Sequence, residues 1–203
     1  MSFVSMERYN YKSGSSGELF PLLVELDPKA MLIVNLFSGP NPHSVSSLRW
    51  FDDLTSLEKY EDEFFDSDDK VQLFRKIGGL CNNTSAQLSE LIVQPEGITR
   101  AEAKYLEFTM IKAKRGYRDE LLNTILDFRK NSLSERKPGV SIGRSFDQDL
   151  VMVRIPKTKL GENEENYETM MKIRGPFVKA IKELTVSANT IISRILYNPF
   201  SNQ

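Results

Sequence analysis

The chain holds one cysteine, one histidine and one tryptophan in 203 residues. The lone Cys81 excludes an internal disulfide and suits a reducing compartment. With only His43 to join it, no zinc site can be assembled, and neither residue has metal-ligand spacing around it. Nothing else in the chain supports a Cys–His nucleophilic pair. Long apolar runs are missing too. The longest, Ala30 to Val34, is far too short to span a bilayer. The start, Met1-Ser2-Phe3-Val4, has no basic stretch followed by an apolar core, so no secretory leader is expected. The overlapping sequons at Asn82 and Asn83 are therefore expected to stay unmodified. Charge of one sign is absent: 27 Lys and Arg face 28 Asp and Glu, a net charge of -1. That leaves no global pull toward nucleic acid or membrane.

Motifs that carry chemistry are scarce as well. Glycine loops of the Walker or dinucleotide type do not occur. Asp66-Ser67-Asp68-Asp69 hints at a calcium loop, but Val71 and Ile77 stand where glycine and glutamate are needed. Ser56-Leu57-Glu58-Lys59 has the serine-x-x-lysine spacing of some acyl enzymes without a companion motif. The Lys137–Arg144 stretch reads as a surface loop. No catalytic, metal or cofactor residue is assigned on these grounds, and no cofactor or small-molecule substrate is expected.

What is present is the balance of a soluble globular fold, 40% hydrophobic and 27% charged, in one domain over 1–203. Residues 1–42 read as β-rich. Val4, Met6 and Arg8 alternate with Phe3, Ser5 and Glu7. Lys12 to Gly17 is a turn, Leu19 to Leu26 an edge strand because of Pro21, and Ala30 to Phe37 a buried strand. Residues 43–131 read as a helical body. Trp50, Leu54, Leu57 and Phe64 fall at helical spacings, Ser67 is a cap, and Thr55/Glu58, Thr84/Gln87 and Thr99/Glu102 form capping boxes. Residues 132–162 read as loop with a strand over Leu150 to Ile155, stopped by Pro156. Residues 163–203 read as a helix capped at Asn163 and interrupted at Gly175-Pro176, then a tail ending Asn198-Pro199-Phe200. No internal repeat is apparent.

Two helices carry most of the pattern. Over 98–131, Leu106, Met110, Ala113, Tyr117, Leu121, Ile125 and Phe128 gather on one face at 3.6-residue spacing. Opposite them Phe108, Ile111 and Leu122 sit among Lys104, Lys112, Arg115, Arg118 and Arg129. Over 164–197, Phe177, Ile181, Leu184, Ala188, Ile191 and Ile195 follow a 4-3 seam. Charge is segregated: Asp52 to Asp69 is acidic, Lys104 to Lys159 basic.

These patterns predict an α-rich α+β fold: a small, mostly antiparallel sheet of N-terminal strands plus the strand at 150–155, packed with the helices 98–131 and 164–197. The leading functional expectation is a non-catalytic structural or adaptor protein within a larger protein assembly, of which a virus or phage structural component is an example. Its partner interface would be Phe108, Ile111, Leu122, Arg115 and Arg118. The other subunits would be copies of itself or other proteins, in the cytoplasm or a virion. The rival expectation is a nucleic-acid-binding accessory protein using Lys104, Lys112, Arg115, Arg118, Arg129, Arg136, Lys137 and Arg144.

Overall fold

The structure, a computed structural model, describes residues 1–36, 43–132, 135–145, 147–161 and 177–201. Its elements are β1 (Ser2–Tyr11), α1 (Ser16–Leu26), β2 (Met31–Asn35), β3 (Ser44–Phe51), α2 (Leu54–Phe65), α3 (Asp68–Leu80), β4 (Cys81–Val93), β5 (Tyr105–Ala113), α4 (Arg118–Asn131), β6 (Gly139–Gly143), β7 (Leu150–Lys157) and β8 (Thr185–Tyr197). Residues 177–184 are helical. The strands close into an antiparallel barrel in the order β1-β3-β2-β8-β5-β7-β6-β4.

That order contains a repeat. The first half of the chain gives the sheet β4-β1-β3-β2 and the second half gives β8-β5-β7-β6, the same arrangement. Two seams join them, β2 to β8 and β6 to β4. The repeat is one of topology and not of residues, which is why the sequence does not display it. At one seam Asn35 faces Ser193, whose hydroxyl donates to Asn35 Oδ1 at 2.8 Å. At the matching place on the other seam Gly143 faces Ser89, and the Ser89 hydroxyl has no partner among the described residues. Gly143 admits no side chain, because a Cβ there would lie 2.2 Å from the Asp147 carbonyl oxygen.

Closure leaves the barrel no free edge. Val4, Met31, Ile33, Leu48, Leu106 and Phe108 fill the lumen. Tyr9, Leu32 and Val45 point outward, under α1 and α3. Ile111, Val140 and Val151 point outward, under α4 and the helical residues 177–184. Each fully buried Leu or Ile contributes about 1.5–3 kcal/mol.

The expected α-rich fold with a small sheet is thus corrected to a closed barrel of eight strands. The helix expected over 98–131 is a strand and a shorter helix, β5 and α4, separated by a turn in which Gly116 has φ 85°. On β5 the even positions Leu106 and Phe108 face the lumen while Ile111 and Ala113 face α4. A strand apolar on both sides offers a match at every third or fourth position, and so imitates a two-faced helix. Thr99 and Glu102 do bond reciprocally, Thr99 N–H donating to Glu102 Oε2 at 3.0 Å, but they close a turn. The helix expected over 164–197 is strand from Thr185 onward, where Thr, Val and Ile dominate. Asn163 and Gly175-Pro176 lie outside the described residues.

Within the expected helical body, Trp50 lies on β3 and Thr84/Gln87 on β4. The helix at Leu54 is capped by Asp53 with Ser56, and not by Thr55 with Glu58. Ser67 caps α3, accepting from Lys70 N–H at 3.3 Å. Leu19 to Leu26 is not an edge strand. It belongs to α1, whose Leu19, Leu23 and Leu26 form one buried stripe that outweighs the helix bond lost at Pro21. β7 covers the strand expected at 150–155 and runs on through Pro156 to Lys157. The expected loop before it contains β6.

Candidate functional site

Alternation on β1 puts Ser5, Glu7 and Tyr9 on the outward face, beside Ser47 and Arg49 of β3. α1 supplies Leu23 and Leu26, the following turn supplies Asp27, and α2 supplies Tyr60. These residues enclose a pocket between the sheet and the helices, with about 340 Å³ of space including its mouth. Its closed part has room for little more than a water. α2 forms one wall and buries none of its own residues, so it is the wall most easily displaced.

The chemistry of the pocket is concentrated in titratable groups. The Tyr9 hydroxyl donates a very short hydrogen bond to Glu7 Oε2. Burial raises the Glu7 pKa above its ordinary range. The Tyr9 hydrogen bond opposes this shift, while the negative charges of Glu61 and Asp27 add to it. Tyr9 and Tyr60 are both held protonated, chiefly by burial, with nearby carboxylate charge reinforcing it. Asp27, 7% exposed, accepts from Arg49 at 2.5 Å and from Lys29 N–H at 3.0 Å. The Arg49 guanidinium lies 5.2 Å from the Tyr60 ring centre and 5.7 Å from that of Phe51, which ties α2 to β3.

The second half of the barrel does not reproduce this pocket. Where β1 and β3 pair Glu7 with Ser47 and Ser5 with Arg49, β5 and β7 pair Thr109 with Val153 and Glu107 with Ile155. The second half answers the Glu7–Tyr9 pair with Thr109 and the buried Ile111. The asymmetry means that the polar cluster is not a requirement of the fold.

The residues singled out from the sequence lie elsewhere. Phe108 faces the lumen and Ile111 faces α4, at 5% and 4% exposure, and Leu122 packs beside Ile111. Arg115 is exposed in the turn before α4, and Lys104 is exposed before β5. Lys112 holds Asp147 at 2.9 Å and Arg118 holds Asp119 at 2.8 Å. Arg129 donates to Pro138 O at 2.8 Å, Gln94 O at 3.0 Å and Glu96 at 2.6 Å. Arg144 is bound to the buried Glu90, with Nε at 2.6 Å. Arg136 and Lys137 lead into β6, and the Lys137 backbone bridges that of Glu96. His43 packs against the Tyr11 ring. Among the described residues no group of three or more His, Cys, Asp or Glu could hold a metal. The pocket residues were missed because their signal, alternation of Ser5, Glu7 and Tyr9, has meaning only once β3 is known to lie alongside.

Comparison with solved structures shows where this architecture recurs. A candidate monooxygenase of Fusobacterium nucleatum superposes with a TM-score of 0.72 at 8% identity, covering 96% of this chain and 92% of that one. An anthrone oxidase-like protein gives 0.68 at 12% identity, covering 96% and 91%. A candidate monooxygenase of Lactobacillus acidophilus gives 0.65 at 6% identity, covering 96% and 93%. The sequence matches no protein-family model and no curated protein. At such identities the shared property is the fold, a closed antiparallel barrel of eight strands with helices packed outside it.

These likenesses correct the functional expectation. The non-catalytic structural or adaptor reading and its virion variant drew on a two-faced helix over 98–131, segregated charge and the lack of site motifs, and the nucleic-acid alternative drew on the basic edge of the same helix with the loop after it. That helix does not exist, and the barrel that replaces it is shared with proteins described as oxidoreductases. The expectation that the chain is not an enzyme falls with it. No helix among the described residues is long and apolar enough to cross a membrane.

Proposed function

We propose that this chain is an enzyme that oxidises a small organic molecule in the pocket beneath α1 and α2, with Glu7 as the proton acceptor. The observation that carries the reading is Glu7 itself. It is a carboxylate of raised proton affinity, hydrogen-bonded by Tyr9, in a pocket that the other half of the barrel lacks. Perturbed acids gathered in a cleft mark acid–base sites. The solved structures of the same fold are described as candidate monooxygenases and as anthrone oxidase-like. The substrate class that fits both is a carbon acid or phenol, whose anion is far easier to oxidise than its neutral form. Ionised Glu7 takes the proton, and the resulting carbanion or phenolate gives its electrons to dioxygen, the oxidant and co-substrate of the reaction. The Tyr60 hydroxyl on α2 and the guanidinium of Arg49 on β3 both line the pocket and would receive the developing negative charge. Displacement of α2 admits the substrate, and the Arg49–Tyr60 contact closes the wall again.

The test is oxygen consumption with a set of anthrone-like and phenolic carbon acids. Turnover is expected for at least one, with kcat/KM rising with pH as Glu7 ionises above the ordinary carboxylate range. Glu7→Gln is expected to lower kcat by about 10²-fold or more and to abolish that rise. A Glu7→Gln protein as active as the parent would refute the assignment.

A further inference from the structure

The lumen lies on the opposite side of the sheet from the Glu7 pocket, and its charge is unbalanced. Read from the pairing registers, its inward positions include Arg8 on β1 and Arg154 on β7, with Lys112 at the rim, and no Asp or Glu. Lys112 is neutralised by Asp147. Arg8 and Arg154 have no carboxylate partner among the described residues, and the Nε of each is enclosed without a hydrogen bond. Arg154 is only 6% exposed, and its nearest charged influence is another cation, Arg100. Burial and that cation pull its pKa down to about 10, which still leaves it charged at neutral pH. The hydroxyls of Ser89 and Ser141, also inward, are enclosed and have no partner among the described residues. A buried cation without counter-charge, as Arg154 is, costs several kcal/mol in a folded protein, and half-buried Arg8 bears a smaller cost at its enclosed Nε. A compartment that concentrates them without a single acid is therefore incomplete as it stands.

A cavity lies beside Arg8, and Arg154 is not among the residues that line it. Arg8, Ser46 and Asn35 form its polar wall, and side chains such as Phe108, Met110 and Met152 form the rest. The total space is about 280 Å³, but its closed part takes a single water-sized occupant. The Asn35 amide is oriented by its neighbours. Its Oδ1 accepts from Ser193 and its Nδ2 donates to Ser44 at 3.1 Å, which leaves one N–H for the cavity. Arg8 is half-buried, so its outer nitrogens give an occupant a route from solvent.

We propose that the barrel lumen binds one halide-sized anion, held by the Nε–H of Arg8 with the Ser46 hydroxyl and the free N–H of Asn35. Size selects a halide over a sulfate or phosphate. The site is independent of the Glu7 pocket, and its occupancy adds to folding stability in proportion to the anion's affinity.

The experiment is thermal unfolding of the full chain in sodium chloride against sodium gluconate at equal ionic strength, with crystals grown in sodium bromide read by anomalous scattering. A saturable rise in Tm with chloride is expected. Arg8→Lys should need at least tenfold more chloride for half the rise, and Arg8→Met should lose the rise while gaining stability in gluconate. The bromide peak should lie beside Arg8, Ser46 and Asn35. If Arg8→Met does not fold, Arg8→Lys and the bromide position decide. Equal Tm in the two salts, a chloride response unchanged in Arg8→Lys, or bromide found only elsewhere would overturn the proposal.

Discussion

Arg129 illustrates how a single side chain can be misread from its neighbours in the sequence. It stands in the last turn of α4, where a cation suits the helix dipole. Its guanidinium is nevertheless spent inward, binding the backbone carbonyls of Gln94 and Pro138 and the Glu96 carboxylate. It therefore clamps α4 to the ends of β4 and β6. Arg129→Ala should cost about 2–3 kcal/mol, seen as a lower urea midpoint, and a change within error would show that the clamp is dispensable. Glu7 gives a second expectation, with a definite sign. Its folded pKa lies above the usual 4.5, so the folded state binds more protons than the unfolded one between that value and the raised one. Stability from this group is full below the window and falls as pH rises through it. Unfolding midpoints of the parent and Glu7→Gln, measured across acidic and neutral pH, should diverge as pH rises, with the variant gaining. Parallel curves would mean that the carboxyl is not held protonated by the fold.

At the scale of elements, the strand alternation of β5 makes opposite demands on neighbouring residues. Ile111 packs into an apolar cluster with Leu121, Ile125 and Val140. Phe108 pairs across the sheet with Arg154, a cation that lacks a counter-charge. A carboxylate at 111 finds no partner, whereas one at 108 finds a guanidinium. Ile111→Asp should therefore lose more stability than Phe108→Asp, by about 2 kcal/mol or more. Equal losses in chemical denaturation would argue against the orientation of β5. The same alternation marks what was legible in the chain. β1, β2 and β7 show in their sequences, because each has either clear alternation or a short apolar core. Ser67 shows as a cap because capping is local. β5 does not show, because apolar residues are buried on both of its faces and period two then overlaps with period 3.6. β8 does not show, because its exposed Val186 to Thr190 carry no alternation and Ile191, Ile192 and Ile195 fit a helical spacing as well. β4 does not show either. It begins directly at the end of α3, and its exposed Asn82 to Ala86 carry no apolar pattern. The Glu7 pocket needs β1, β3, α1 and α2 together, so its legibility depended on β3, which reads as helix in the sequence, and on α1, which reads as a strand.

The whole molecule is two like halves that complete each other. Each half is a four-stranded sheet whose outer strands, β4 and β2 or β8 and β6, end in unpaired backbone until the other half arrives. Isolated, either half would present two open edges and the apolar lumen face of its sheet, including Val4, Met31 and Ile33 in the first and Leu106 and Phe108 in the second. The link between them is slight in sequence, an exposed turn around Ala101. Further ties hold that region: the Asn198 side chain donates to Arg100 O at 2.8 Å, and Arg100 stacks on Trp50 and Phe200. A chain opened after Ala101 keeps both seams, so co-expressed 1–101 and 102–203 should purify as a stable one-to-one complex by light scattering. Each fragment alone should pair with its own kind or precipitate, since its edges and lumen face seek the same complement. A monomeric, cooperatively folded half would show that closure is not what stabilises the sheets. The complex should also retain the chloride response, because Arg8, Ser46 and Asn35 all come from the first half and only the roof of the cavity from the second.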